Sequence, residues 1–115
     1  MPAQNIALLT LTLAATGTIA AARFVTPAGA QAGADANAIG VARVAAVSGD
    51  KLPVDALGTS VVEAGAAVAA GATVKANASG QAITWVTSGA RLGIALEAAA
   101  GSGSLIEILL LPNAA

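Results

Sequence analysis

A chain of 115 residues fits one domain, and with five basic and six acidic residues it carries a net charge of −1. Cysteine and histidine are both absent. This removes disulfide scaffolds, thiol catalysis and thiolate metal sites, together with the usual general base and the commonest metal ligand.

Hydrophobic residues make up 57% of the chain, aromatic residues 2% and charged residues 10%. Ordinary domains carry roughly 25% charged residues. A chain of this length buries only about two-thirds of the surface its unfolded form exposes. The rest would be unusually apolar, and large exposed apolar patches mark interfaces. The composition therefore predicts an obligate oligomer or a protein that works attached to a larger surface. The charges are spread singly, with no basic patch for a phosphate backbone and no acidic tail.

Residues 1–7 read as an N-terminal arm and residues 8–115 as a single β-rich domain. Ile6 to Ala22 is apolar and Ala30-Gln31-Ala32 has the small-x-small form of a cleavage site. No Lys or Arg precedes the run, however, so a signal peptide is not expected. No apolar run is long and clean enough to span a membrane as a helix.

Ile6–Ala14 alternates Leu9, Leu11 and Leu13 against Thr10 and Thr12, a strand habit. Thr16-Gly17 is a turn. Thr18–Thr26 is a second strand, ended by Pro27. Ala28–Ala36, small and repetitive, is a loop. Asn37–Val47 is a strand with Ile39, Val41, Val44 and Val47 inward and a bulge near Ala42-Arg43.

Ser48–Lys51 turns. Leu52–Leu57 is a short strand placed at an edge by Pro53. Gly58-Thr59 turns again and Ser60–Ala64 is a strand. The alanine-rich stretch from Val61 to Lys75 could be helical, with Val61, Gly65, Val68 and Ala72 on one face. Gly65 and Gly71 would each cost about 1 kcal/mol in a helix interior, so strand–turn–strand is preferred, with a short helical turn around 66–70 permitted. Thr73–Ala76 is a strand, Asn77–Gly80 a turn, and Gln81–Thr87 carries Ile83 and Trp85 on one face and Val86 on the other.

The clearest signal is Ala90–Pro112, read as a β-hairpin around Gly101-Ser-Gly-Ser104 with the even-numbered side chains of both strands inward. A turn centred on Ser102 would set Glu97 opposite Glu107, a destabilising like-charge pair. A centre at Gly101 or Gly103 is therefore expected. Leu105, Leu109 and Leu111 then point outward, where three leucines need cover from another sheet of the same barrel or from a neighbouring protomer. Short strands with frequent turns predict an all-β fold: a small β-barrel or β-tulip-like domain with at most one short helix and a C-terminal β-hairpin.

Without histidine no triad can form. Glu63, Glu97 and Glu107 read as solvated strand charges rather than a catalytic pair. Walker A, dinucleotide and calcium-loop patterns are absent. Lys75 has a faint biotinyl- or lipoyl-carrier setting, but it lies inside a strand and lacks the flanking residues. Catalytic, cofactor-binding and metal-binding residues are therefore none, and no cofactor or small-molecule substrate is expected. Trp85 and Phe24, the only rings, are core residues or interface anchors. Arg23, Arg43 and Arg91 are outward strand charges that guard against mispairing, or partners in interface ion pairs.

The runs GVARVAAVSGDKLPV (40–54), VVEAGAAVAAG (61–71), ASGQA (78–82), LGIALEAA (92–99) and LIEILLL (105–111), in this order and spacing, resemble the capsid cement, or head decoration, proteins of tailed bacteriophages. The resemblance implies a small β-rich, tulip-shaped barrel and a homotrimer on the outer surface of the virion's capsid, made in the host cytoplasm. There it would bridge major capsid subunits and stabilise the shell. It implies no catalytic residues, nucleic-acid partner or membrane partner. The candidate interface residues are Pro2, Ala3, Gln4, Asn5, Ile6, Arg23, Phe24, Trp85, Leu105, Leu109 and Leu111, with the arm 1–7 as a candidate for strand addition to a capsid edge. The alternative is a non-viral surface or extracellular adhesion module, which a functional signal sequence would mark.

Overall fold

The computed structural model describes residues 6–110. They form eight strands and no helix: β1 (Ala7–Ala14), β2 (Phe24–Val25), β3 (Gly40–Ala42), β4 (Lys51–Glu63), β5 (Thr73–Ala76), β6 (Ala82–Thr84), β7 (Gly93–Ala95) and β8 (Leu105–Leu110). All ladders between them are antiparallel, in the order β2-β3-β4-β8-β7-β5-β6, with β1 added to β4.

The two ends of this path come back together. Phe24 N–H in β2 donates to Gly80 C=O, two residues before β6, 2.9 Å away, and next to it Gly65 N–H, just past the end of β4, donates to Ala82 C=O in β6 at 2.8 Å. The result is an all-β, nearly closed barrel-like sheet. Near-closure leaves few unpaired strand edges.

Two apolar clusters fill the protein. The larger holds Phe24, Val41, Val62, Val74, Ile106 and Ile108; the smaller holds Ile19, Val25, Leu52 and Val54. Consecutive side chains of a strand point to opposite faces. Phe24 and Val41 therefore enter the larger cluster while their neighbours Val25 and Ala42 enter the smaller. The short β2–β3 ribbon is the wall between them, which is why it is buried on both faces.

β4 departs most from expectation. The sequence predicts an edge strand, a turn at Gly58-Thr59 and a second strand. A single 13-residue strand runs through instead, with β1 and β3 against its first half and β8 against its second. Gly58 is a bulge point: its φ is +93°, and a Cβ there would lie 2.2 Å from the Ile6 carbonyl oxygen. Only glycine lets β1 pass so close. Pro53 is tolerated because its carbonyl accepts from Arg43 N–H. Its missing N–H would face the same side, one residue beyond the β3 ladder.

Other expectations change in extent. Of the Thr18–Thr26 strand only Phe24–Val25 is regular, with an isolated bridge from Ile19 to Ala46. Of Asn37–Val47 only Gly40–Ala42 is strand. Val44 and Val47, expected inward, are exposed, because the chain ends its ladder at Ala42 instead of bulging onward. The 61–75 stretch is strand, irregular segment and strand, as preferred. The Asn77–Gly80 turn is present: Asn77 Oδ1 accepts from Ser79 and Gln81 N–H at 2.8 and 3.0 Å.

The C-terminal pairing is antiparallel, but its register falls between the two expected centres. Gly93, Ile94 and Ala95 face Leu110, Leu109 and Ile108, so the centre lies between Gly101 and Ser102. Glu97 and Glu107 are not opposed, as the charge argument required. The half-step has a second effect. Ile106, Ile108 and Leu110 are inward as predicted, but in β7 Gly93 and Ala95 are buried and Ile94 turns outward beside Leu109. A register shift by one residue moves a strand's whole side-chain set to the other face. The connection is also no tight hairpin, since Ala99 leaves to bridge Val68.

Candidate interaction surface

Four features stand out among the described residues: a closing seam, a buried carboxylate, an apolar outer face and a groove beside a one-sided strand.

Arg23 forms the seam. Its Nη1 donates to Ser79 C=O at 2.8 Å and its Nη2 to Glu63 Oε2 at 3.0 Å, while Gln31 also reaches Ser79 C=O and Gln81 bonds Glu63. These contacts join the residue before β2, the end of β4 and the β5–β6 turn, so the barrel is clasped by polar side chains where backbone pairing is sparse. Asp55 is wholly buried. It accepts from Arg43 Nε at 2.7 Å, Ser60 Oγ at 2.9 Å and Thr10 Oγ1 at 3.2 Å, and so holds β1, the end of β3 and β4 together. No local pattern in the sequence marks Asp55 as buried; its three partners come from three separate segments.

Glu107 was expected among the solvated carboxylates and is 2% exposed. It lies on the outward row of β8 opposite Val61, and its Oε1 finds no donor among the described residues. Glu97 turns its own carboxylate to the Glu107 backbone N–H at 2.8 Å. Around it stand Leu105 at 57% exposed, Leu109 at 39% and Leu96 at 38%. The barrel's own sheet therefore leaves Leu105 and Leu109 open, which removes one of the two covers expected for them.

A groove of about 480 Å³ lies on the face shared by β1 and β4, lined by Leu9, Leu11 and Leu57 on one side and Pro27, Asn37 and Ile39 on the other. No lining residue is charged. Asn37 Oδ1 is buried there without a donor among the described residues.

The remaining candidate residues fall as follows. Ile6 is exposed, but its N–H and C=O bond Thr59, so pairing begins inside the segment read as an arm. Phe24 is a core residue at 1% exposure. Trp85 is half-buried, its Nε1 donating to Gly89 C=O at 2.9 Å and its ring 4.1 Å from the Arg91 guanidinium, a cation–π contact. Lys75 is ion-paired to Asp35 at 2.6 Å on a paired strand, away from any hairpin tip. Pro2, Ala3, Gln4, Asn5 and Leu111 lie outside the described residues. Among the described residues no three acidic side chains gather as a metal site.

A barrel-like sheet with a polar clasp, an apolar outer face and an apolar groove is the surface of a binding or structural module. The chain belongs to the phage cement protein family, whose model matches residues 3–110; this is a family of phage structural proteins. No curated protein is matched by the chain. Its fold is similar to a crystal structure described as the head fiber gp8.5 N base in bacteriophage phi29, with a TM-score of 0.72 over 90% of this chain and 93% of that one. Identity there is 20%, so that likeness concerns the fold.

Proposed function

We propose that the protein is a capsid cement protein that attaches to the outer surface of a phage head as a homotrimer, bridges neighbouring major capsid subunits and stabilises the shell. The observation that carries this reading is the outward face of β8. Leu105 and Leu109 stand open on a regular sheet, beside Ile94 and over a buried carboxylate. A protein that spent its life as a lone monomer would have little reason to keep that face apolar. Family membership supports the shell as the larger surface. Of the candidate interface residues, Ile6, Leu105 and Leu109 are exposed and Trp85 is half-buried, which supports reading them as contact residues. Arg23 and Phe24 would act from within by holding the seam and the core. Several weak contacts made at once by a trimer give retention far above any one of them.

The test is co-purification with heads assembled without the protein, with imaging of occupancy and light scattering of the free protein. Occupancy at three-fold positions, a trimer mass and a raised temperature of DNA release are expected. A stable monomer at micromolar concentration that leaves heads bare overturns the reading.

A further inference from the structure

We propose that the open edge of β1 docks an extended, uncharged segment of the shell's major subunit by strand addition; this rests on the cement reading above. β1 pairs with β4 along one edge only, and no hydrogen bond leaves its other edge between Leu8 and Thr12 among the described residues.

Which groups face outward follows from the ladder. Ala15 N–H donates to Asp50 C=O, and Thr12 lies opposite Pro53, whose carbonyl is turned to Arg43 on the β3 side. Backbone groups alternate sides along a strand. Leu11 and Leu13 therefore bond β4, while Thr10 and Thr12 present N–H and C=O outward. Among the described residues the edge is closed only beyond Ala14, where Gly29 packs so near that a Cβ would fall 2.2 Å from the Ala14 carbonyl oxygen.

Proteins protect such edges with charge, proline or a covering element. Here the open stretch is Leu-Leu-Thr-Leu-Thr, with Leu8 at 79% exposed. Adjacent to it lies the uncharged groove with Leu9, Leu11 and Leu57, and an Asn37 oxygen awaiting a donor. An unpaired backbone edge is matched by another backbone, an apolar groove by its aliphatic side chains, and the Asn37 oxygen by one of its donors.

A second copy is the poorer occupant. β1 against β1 is a two-fold contact, which cannot close a three-fold ring. The open stretch is five residues, roughly 17 Å long. One strand laid along it falls short of the ~1,000 Å² that a stable free dimer needs, whereas the same contact repeated three times on a shell gains from multivalency.

The test uses Thr12→Pro, which removes an outward N–H and obstructs an added strand while leaving every β1–β4 bond. Leu9→Asp, which charges the groove, is the second variant. Melting curves confirm folding; parent and variants are then bound to heads lacking the protein, and hydrogen exchange of the β1 peptide is read free and bound. Expected are at least tenfold lower occupancy for both variants with unchanged oligomer mass, and slowed β1 exchange only when the parent is bound. Folded variants that decorate as well as the parent overturn the inference and leave the cement reading standing. A free dimer abolished by Thr12→Pro overturns it in favour of self-pairing. A parent that does not bind heads overturns both.

Discussion

Arg43 Nε and Asp55 Oδ1 meet at 2.7 Å, with the arginine side chain 40% exposed and the aspartate fully buried. The cation thus reaches from solvent to neutralise a carboxylate that three strands share. Its position explains how β1, a strand with little buried surface of its own, is held to β4 through Thr10.

Breaking this pair from either side should therefore loosen β1. Arg43→Met leaves Asp55 buried with only two neutral donors and is expected to cost about 3–5 kcal/mol, the cost of a buried charge that has lost its partner. Asp55→Asn, which keeps the shape, should cost less than Asp55→Ala. Urea unfolding of the three variants gives the order; an Arg43→Met variant as stable as the parent contradicts it.

The clasp between Arg23 and Glu63 is partly screened, with side chains 18% and 25% exposed. A double-mutant cycle with Arg23→Met and Glu63→Gln should give a coupling of about 1 kcal/mol. Faster exchange should appear at the β5–β6 turn rather than in β8, because the lost bonds tether Ser79 and Gln81. Additive single mutants would show that the Arg23–Glu63 pair itself adds no coupling to the seam.

Asp35 offers a pH handle. The Lys75 hydrogen bond is the main cause holding its carboxyl below the ordinary 3.8; the Lys75 charge and a Ser88 hydroxyl act the same way, against an opposing desolvation effect. A carboxyl lowered in the folded state adds stability that is present above its unfolded value and is lost as pH falls through the folded one. The melting temperature of the parent should exceed that of Asp35→Asn near neutral pH, and the gap should narrow from about pH 4 downward. Asparagine suits this test because residue 35 has a φ of +60°, which Asn tolerates. A gap independent of pH would assign the effect to packing.

Gly58→Ala should be among the most damaging single changes outside the cores. It places a methyl group against the Ile6 carbonyl at a left-handed φ, with an expected loss of roughly 1–3 kcal/mol. Thermal melting measures it. A neutral outcome would mean that β1 can shift away from β4 without loss.

On the outer face, Leu105→Ser with Leu109→Ser should lower the stability of the single chain only modestly, by about 1–2 kcal/mol, because Leu105 is 57% and Leu109 39% exposed. Self-association, read by light scattering, should weaken by tenfold or more. Unchanged mass at every concentration would show that this face makes no self-contact.

Much of this molecule was determined by the sequence itself. The absence of His and Cys, the scarcity of charge, the glycine turns and the period-two runs of β1 and β8 depend only on neighbours in the chain, and they define an all-β protein with apolar surface to cover. Tertiary structure decided the rest, for one physical reason: register is set between strands, not within them. A half-step at Gly101-Ser102 turned Ile94 outward while leaving Ile106 and Ile108 inward. Gly58 became a bulge instead of a turn because Ile6 needed to pass. Asp55 and Glu107 look alike as lone carboxylates among apolar residues. Only the fold supplied Arg43, Ser60 and Thr10 to one and left an oxygen of the other unmatched beneath the exposed leucines.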